Sequence, residues 1–393
     1  MKIIFFLSAI ITLNIGYSQE LPPRVASLIN IKQIHSGHSL TDPLFAIWPG
    51  QFVNLIGSIN SLPSWQLFDS MVGKSTIPGS SLKARWESPP GYGSPDARLN
   101  IDNWQLLSIT ERVPLMYEGG NTQQWYLDGI QEQKQYLSQF VNNAWTNGNN
   151  GNGTPTLLWT TWTNIDNSNG PWRQMLDIQG AEFERMQDYA NLNRLAGAPP
   201  VYIIPGHKMM ARLYDDIQQN IVPGITNINQ FFSDNIHVNE LGAYAVSMIH
   251  YSSIFKLSPV DLPNNLLENA PAGTPIPSPA LATYLQNMVW NVVNSYSRAG
   301  FAQIALSLEE NEDKKVLLTL EINGKTDLKI YPNPANDFIN IDKKGNFNYK
   351  IYNNIGAEVF SGNRIGNTIN IQHLSPNFYF LNIENEYFKF IKK

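Results

Sequence analysis

Two short stretches hold side chains whose types and spacing suit nucleophilic chemistry. The first is Ile34-His35-Ser36-Gly37-His38-Ser39-Leu40-Thr41-Asp42, where a serine stands two residues after a glycine at the end of an apolar run. If that run is a parallel strand, the turn presents the Ser39 hydroxyl in the crevice where open α/β sheets bind ligands. Gly37 would permit a tight turn and a close backbone approach. Alone, such a serine is more often a helix cap. The second stretch is Asp234-Asn235-Ile236-His237, a carboxylate three residues before a histidine, ahead of a helix-like segment. In that arrangement the carboxylate fixes the imidazole tautomer and leaves the other ring nitrogen to accept a serine proton. Taken alone, His237 could equally be a structural histidine at a helix start.

The chemistry needs a fold that joins these distant segments. Val25–Ile34, leading into Gly37, reads as a strand. Leu106–Ile109, Thr156–Trp159 and Val201–Ile204 are short apolar runs bounded by turn residues, which suits buried parallel strands. Between them, Asp128–Trp145 and Ile178–Leu195 carry apolar residues at helical spacing, and Leu281–Tyr296 reads as a last amphipathic helix. Strands separated by helices predict βαβ units and a parallel sheet covered on both faces. Asn147–Gly153 reads as a loop, Pro259–Pro279 as an excursion rich in Pro and Asn, and the charged stretch Glu309–Lys315 as a linker. Beyond about Leu328 only strand patterns remain: Phe338–Ile341, Tyr349–Tyr352, Thr368–Ile371, Phe378–Ile383 and Tyr387–Ile391. Turn signals at Asn354–Gly356, Ser361–Asn363 and Ser375–Asn377 separate them, which predicts a small antiparallel β-sandwich.

Composition narrows the chemistry. The 393 residues include no cysteine, which removes a thiol nucleophile, a disulfide framework, an iron–sulfur cluster and a Cys-ligated zinc. A net charge of −5 without a basic run argues against nucleic acid as a partner. Hydrophobic residues make up 42% of the chain, enough for a sizeable core, while only 15% are charged, so amides and hydroxyls supply much of the polar surface. Lys2 followed by the apolar run Ile3–Ile15 and small residues near Ser18 reads as a secretory leader over residues 1–18. No later run is long enough to span a bilayer, so no membrane span is expected in the mature protein.

Together, Gly37-His38-Ser39-Leu40 and Asp234-Asn235-Ile236-His237 resemble the nucleophile and Asp-X-X-His blocks of the SGNH (GDSL-type) hydrolase family, in the family's order and context. The resemblance covers roughly residues 25–300. It implies a flavodoxin-like three-layer α/β/α sandwich, a Ser39-His237-Asp234 triad, and an oxyanion hole made by the backbone N–H groups of Ser39 and Gly79. It implies no cofactor and no metal. The family's Gly-X-Asn-Asp block should follow the third strand, but Thr110-Glu111-Arg112-Val113 stands there. Asn121 and Asn164 are candidates to replace the missing donor, and Glu111 could orient Arg112 or a substrate hydroxyl. His38, Glu111 and His207 are candidates to line the pocket. The tryptophans Trp48, Trp86, Trp159, Trp162 and Trp172 fall near strand ends, where core packing is the commoner role and stacking on sugars the alternative.

The segments Leu328-Lys-Ile-Tyr-Pro-Asn-Pro-Ala335, Ile351–Gly356 and Pro376–Leu381, with the terminal Phe388-Lys-Phe-Ile-Lys-Lys393, resemble the C-terminal sorting domain of the type IX secretion system. A small carbohydrate-binding or Ig-like sandwich is the alternative. The resemblance implies a Bacteroidetes source, export to the surface or medium through the type IX machinery, and removal of the tail. The expected organisation is a leader at 1–18, a hydrolase domain at 22–305, a linker at 306–325 and a sorting domain at 326–393. The expected partner is an ester, with acyl groups on a polysaccharide as one candidate. Two rivals stay open: a non-catalytic glycan-binding or surface protein on the same fold, and a metal-dependent hydrolase built on His35, His38 and Asp42.

Overall fold

The computed structural model describes residues 21–46, 50–88, 95–117, 120–121, 123–268 and 270–301, and in the C-terminal part residues 330–342, 346–352, 358–364, 367–374, 377–383 and 386–392. The leader and linker expected at 1–18 and 306–325, and Trp48, lie outside the described residues. The larger part runs β1 (Gln33–Gly37), α1 (Gln51–Asn60), α2 (Ser64–Leu67), β2 (Val72–Thr76), α3 (Leu82–Glu87), β3 (Leu106–Ile109), α4 (Gln124–Gly151), β4 (Thr156–Trp159), α5 (Trp172–Leu192), β5 (Tyr202–Ile204), α6 (Gly206–Gln218), α7 (Glu240–Phe255) and α8 (Pro279–Ser295). The strands bond in the order β2-β1-β3-β4-β5, every pair parallel.

The chain steps from β1 to β2 in one direction along the sheet and from β3 through β4 to β5 in the other. Right-handed crossovers therefore place α1 on one face and α4 and α5 on the opposite face. The packing agrees: α1 lies against α7 and α7 against α8, while α3, α4 and α5 touch in a row. This is the expected three-layer α/β/α sandwich with flavodoxin-like strand order, and its topological switch point falls between β1 and β3. One continuous core extends from Ile31 to Phe301. The helix α7 is buried at every position from Gly242 to Phe255, and is accordingly apolar around most of its circumference. Its first turn is capped by Asn239, whose side chain accepts from the N–H groups of Leu241 (3.0 Å) and Gly242 (3.3 Å).

Several boundaries differ from the sequence reading. The first strand begins at Gln33 rather than Val25 and includes Gly37. Residues before it pack on the end of α7 instead, with Ser27 N–H donating to Ile254 O (3.1 Å). The edge strand β2, Val-Gly-Lys-Ser-Thr, has too few apolar residues to show a strand pattern. The stretch Asn147–Gly153 continues α4 in part, but the backbone leaves helical geometry at Gly148, Asn149 and Asn150.

The C-terminal part holds β6 (Ile330–Tyr331), β7 (Phe338–Ile341), β8 (Phe347–Tyr352), β9 (Glu358–Arg364), β10 (Thr368–Asn370), β11 (Asn377–Ile383) and β12 (Glu386–Lys392). They form two antiparallel sheets, β10-β7-β6 and β12-β11-β8-β9. Ile339, Ile341 and Ile369 of one sheet and Ile351, Leu381 and Phe390 of the other share a second core, the arrangement of a sandwich. Ser361–Asn363, expected as a turn, lies within β9, where Ser361 pairs with Lys350 and Asn363 with Asn348. As an edge strand β9 has one unpaired side, which explains its polar sequence.

Candidate active site

Ser39 lies just beyond the carboxyl end of β1, beside the switch point. The chain turns there, with Thr41 N–H donating to His38 O (2.8 Å) and Asp42 N–H to Ser39 O (3.2 Å). Both neighbouring strands grip the turn from the sides. Ile77 N–H donates to Gly37 O (3.0 Å), and Thr110 N–H to Ser36 O (3.2 Å). A Cβ on Gly37 would stand 2.0 Å from Thr41 Oγ1 and 3.0 Å from Thr110 Cγ2, so only glycine allows the turn to fold this closely. From β4, Trp159 Nε1 donates to Leu40 O (3.3 Å).

The Asp-His loop is closed on itself. Phe232 and Val238 form an antiparallel bridge, Ser233 N–H donates to His237 O (2.8 Å), and Asn239 N–H to Phe231 O (2.9 Å). The segment after β4 braces it from outside: Trp162 Nε1 donates to Ile236 O (2.8 Å), and Ile165 N–H to Asn235 O (2.8 Å). A Cβ on Gly242 would come within 2.5 Å of Val238 Cβ, so the loop packs directly on the first turn of α7.

These two segments meet. His237 Nε2 is 2.8 Å from Ser39 Oγ, and His237 Nδ1 is 2.7 Å from Asp234 Oδ2. Asp234 Oδ1 accepts from the N–H groups of Ile236 (2.8 Å) and His237 (2.7 Å). Desolvation pushes the Asp234 carboxyl up, but the His237 N–H, the His237 ring and the Ile236 N–H outweigh it and hold it at about 2. An ionised carboxylate only accepts, so Nδ1 carries the imidazole proton and Nε2 is left to accept from the Ser39 hydroxyl. The side chains of His237 and Asp234 are 41% and 55% exposed, so a ligand in solution can reach them.

Behind the turn lies a buried polar layer. The His38 ring is 3% exposed; its Nε2 donates to Glu111 O (3.0 Å) and its Nδ1 accepts from Leu40 N–H (3.3 Å). Burial, with the charges of Arg85, His237 and Arg112 and against the Glu111 hydrogen bond, pushes His38 down to about 4. It is a neutral strut of the turn rather than a pocket wall. Glu111 is 4% exposed, and its carboxylate accepts from the N–H groups of Leu82 (3.1 Å) and Arg112 (2.5 Å). Burial pushes its carboxyl up to about 7, opposed by Arg85 and those donors. Arg85 is equally buried and donates to Ser80 O (2.9 Å), Ser80 Oγ (2.9 Å) and Thr110 O. Glu111 thus orients Arg112 through its backbone and is closed off from a substrate hydroxyl. Arg112 is exposed, and its guanidinium has no hydrogen-bond or ion-pair partner among the described residues. Arg85 left no trace in the sequence, because Leu-Lys-Ala-Arg-Trp-Glu reads as an ordinary surface helix.

Gly79 is exposed, with φ +66° and open space where a Cβ would be. With Pro78 before it and Ser80 N–H donating to Ile77 O (3.1 Å), it is the third residue of a type II turn. The N–H groups of Ser39 and Gly79 donate no hydrogen bond among the described residues. His207 is fully buried, its Nδ1 2.7 Å from Thr160 Oγ1 and its ring against the Cα of Gly180, so it lines no open pocket. His35 bonds Gln33 (3.1 Å), while Asp42 pairs with Lys74 (3.0 Å) and accepts from Thr76 Oγ1 (2.7 Å). His35, His38 and Asp42 therefore do not converge, and no group of three metal-ligating side chains occurs among the described residues. Asn164 donates to Ser168 Oγ (3.1 Å) and Asn121 accepts from Gln123 N–H (2.9 Å); neither bonds Ser39 or His237. Trp159, Trp162 and Trp172 are core residues, and Trp86 is half-buried.

Comparisons with known proteins bear mainly on the tail. Residues 329–393 match the family described as Secretion system C-terminal sorting domain, the sorting tail of type IX secretion, which supports export to the surface or medium. No curated protein matches the chain. Among solved structures, a DUF4886 family protein from Bacteroides uniformis is similar at 16% identity, covering 67% of this chain and 94% of that one, with a TM-score of 0.45. A variant of the acetyl-xylooligosaccharide esterase Axe2 from Geobacillus is similar at 14% identity over 59% of this chain and 96% of that one, TM-score 0.37. A gut microbial diltiazem-metabolizing enzyme is similar at 14% identity over 60% and 48%, TM-score 0.35. Likenesses this distant carry no argument about activity. No helix among the described residues is long and apolar enough to cross a membrane.

The buried Glu111–Arg85 layer generates a stability prediction. Glu111→Ala would leave the buried Leu82 N–H without its acceptor and remove the negative charge that favours the buried Arg85 guanidinium, and should cost roughly 1–3 kcal/mol at pH 8. Replacing both, Glu111→Leu with Arg85→Met, should recover most of that loss. Urea unfolding reads both values. A single-variant loss below about 1 kcal/mol, or no recovery in the double variant, would contradict the coupling.

Proposed function

We propose that this chain is a secreted serine ester hydrolase of the SGNH type, acting on carboxylic esters through Ser39, His237 and Asp234. The observation that carries the reading is the hydrogen-bonded chain Asp234–His237–Ser39 at the carboxyl edge of a parallel sheet, open to solvent. The type IX sorting tail supports export to the surface or medium, where esters on polysaccharides are candidate substrates.

The mechanism follows from the geometry. Ser39 Oγ attacks the ester carbonyl carbon as His237 Nε2 takes its proton. The imidazolium that forms keeps its Nδ1–H on Asp234, whose carboxylate stabilises the charge. The backbone N–H groups of Ser39 and Gly79, which have no acceptor among the described residues, receive the oxyanion. The tetrahedral adduct collapses, the C–O bond to the alcohol breaks, and His237 returns the proton to the leaving oxygen. Water, deprotonated by His237, then hydrolyses the acyl-enzyme and restores Ser39. The loop after β3 has no Asn in the place where the resemblance puts an oxyanion donor. Its exposed and unpaired cation, Arg112, is the group we assign to that task, while Glu111 is engaged by α3.

Turnover of p-nitrophenyl acetate and longer acyl esters tests the triad. Ser39→Ala and His237→Ala should each lower kcat by about 10⁴–10⁶-fold with the fold retained. Equal turnover by wild type and Ser39→Ala across all esters would sink the reading and favour a non-catalytic binding protein.

Asp234 stays ionised to about 2 and His38 stays neutral to about 4. Neither group should therefore bend the acid side of the kcat/KM profile above about pH 5, and the profile should steepen only below about pH 4, where protonation of His38 Nδ1 breaks its bond from Leu40. A steepening above about pH 5 that persists in Glu111→Gln, which removes the carboxyl held at about 7, would contradict this.

Arg112→Ala should lower kcat by about 10²–10³-fold with little change in KM if Arg112 serves the oxyanion. An unchanged kcat would remove Arg112 from the mechanism and leave the two backbone donors alone.

A further inference from the structure

Away from the Ser39 site, α4 presents an unusual surface. Gln135, Ser138, Gln139, Asn142, Asn143 and Asn147 recur three and four residues apart, so they share one helix face. The exposed face of a helix on an α/β sandwich is normally charged; here the face from Gln135 to Asn147 is neutral amide and hydroxyl, and charge returns at Glu132, paired with Lys83 (2.7 Å). Together with Trp86 at the end of α3 and Tyr189 of α5, these residues line an open groove of about 760 Å³ that includes no charged side chain. The stripe is about 18 Å long at the helical rise, room for several sugar units in a row.

The hydrogen bonding of the groove is incomplete. Asn142 is engaged with Asn193 O (3.1 Å) and Leu195 N–H (3.1 Å), Asn143 donates to Arg98 O (3.0 Å), and Asn147 donates to Asn143 Oδ1 (2.8 Å). The side chains of Gln135 and Gln139 have no partner among the described residues. Ser138 lines the groove at its floor; it is 7% exposed and its Oγ is buried without a hydrogen-bond partner among the described residues. That oxygen is itself covered, so the free amides of Gln135 and Gln139 are the groups open to an incoming hydroxyl. Tyr189 is half-buried and offers aromatic surface at the margin, while the half-buried Trp86 ring is packed by Phe140 (5.0 Å) and by the Arg98 guanidinium (5.8 Å).

We propose that this groove is a binding site for a neutral oligosaccharide. Amides donate and accept in pairs, which matches the hydroxyls of a sugar, and aromatic rings match the apolar faces of pyranose rings. The lack of charged lining side chains disfavours phosphates, nucleic acid and acidic glycans. The site is remote from the proposed chemistry. Asn149, at the far end of α4, donates to Trp104 O (3.0 Å), just ahead of β3, so the groove extends toward the amino ends of the strands while Ser39 stands at the carboxyl ends. It would hold a glycan chain on the enzyme's flank, and it does not depend on the esterase reading.

Isothermal titration of the full chain with xylohexaose, cellohexaose and mannohexaose, and with an acidic galacturonate hexamer, tests this. At least one neutral hexasaccharide should bind, and Ser39→Ala should bind it equally. The exposed pair Gln135→Ala with Gln139→Ala should weaken binding about tenfold or more, Tyr189→Ala should also weaken it, and hydrolysis of p-nitrophenyl acetate should be the same as in wild type. The proposal is overturned if no neutral hexasaccharide binds, if the amide variant binds as tightly as wild type, or if the acidic hexamer is preferred.

Discussion

His237 Nε2 and Ser39 Oγ stand 2.8 Å apart although 198 residues separate them in the chain. Everything else near the site serves to keep that distance. The helix α7 does most of this work, since it starts just after His237 and is capped by Asn239. It also packs against the turn Asp42–Leu44, which begins just after Ser39. One buried, apolar rod thus fixes both partners of the contact. The sheet supplies the rest, because β2 and β3 bond the backbone of β1 on either side up to the residue before His38. In an open α/β sheet this is the place where two adjacent strands send their chains apart and leave a crevice.

The interior beneath the site is polar, which is costly unless each group finds a partner. β1 buries Gln33, His35 and Ser36, and the ring of His35 faces His250, which in turn lies 4.4 Å from the Trp159 ring centroid. Burial pushes the histidines His35, His207 and His250 down, which favours their neutral forms. The distinction between His237 and the other histidines of the sandwich is therefore made by exposure and by Asp234. Glu111 and Arg85 form the other buried polar group, and they secure the loop after β3 to the start of α3.

Much of this was legible in the sequence for a physical reason. β3 and β4 are buried along their length, so they appear as mainly apolar runs, interrupted only by Ser108 and opened by Thr156, whose limits match the structure. The Asp234-X-X-His237 spacing was legible because a closed loop of that size lets the carboxylate bond both the ring and two N–H groups within it. β2 and β9 were not legible, because edge strands are paired on one side only and tolerate polar residues. The roles of His38, Glu111 and His207 could not be read either: burial depends on neighbours far away in the chain, such as Gly180 against His207 and Leu82 against Glu111. Arg85 shows the same limit from the other side, a charged residue in a helix whose burial only the packing reveals.

The proposed groove on α4 and the Ser39 site lie toward opposite ends of the sheet. The central claim concerns the second: that His237 activates Ser39. Reaction with a fluorophosphonate, which phosphonylates only an activated serine, measures that activation without assuming a substrate. Mass spectrometry should find one adduct per chain, on the peptide bearing Ser39, lost in Ser39→Ala and strongly slowed in His237→Ala. An unlabelled wild-type protein under conditions that label a control serine esterase, or an adduct that persists in Ser39→Ala, would contradict the account.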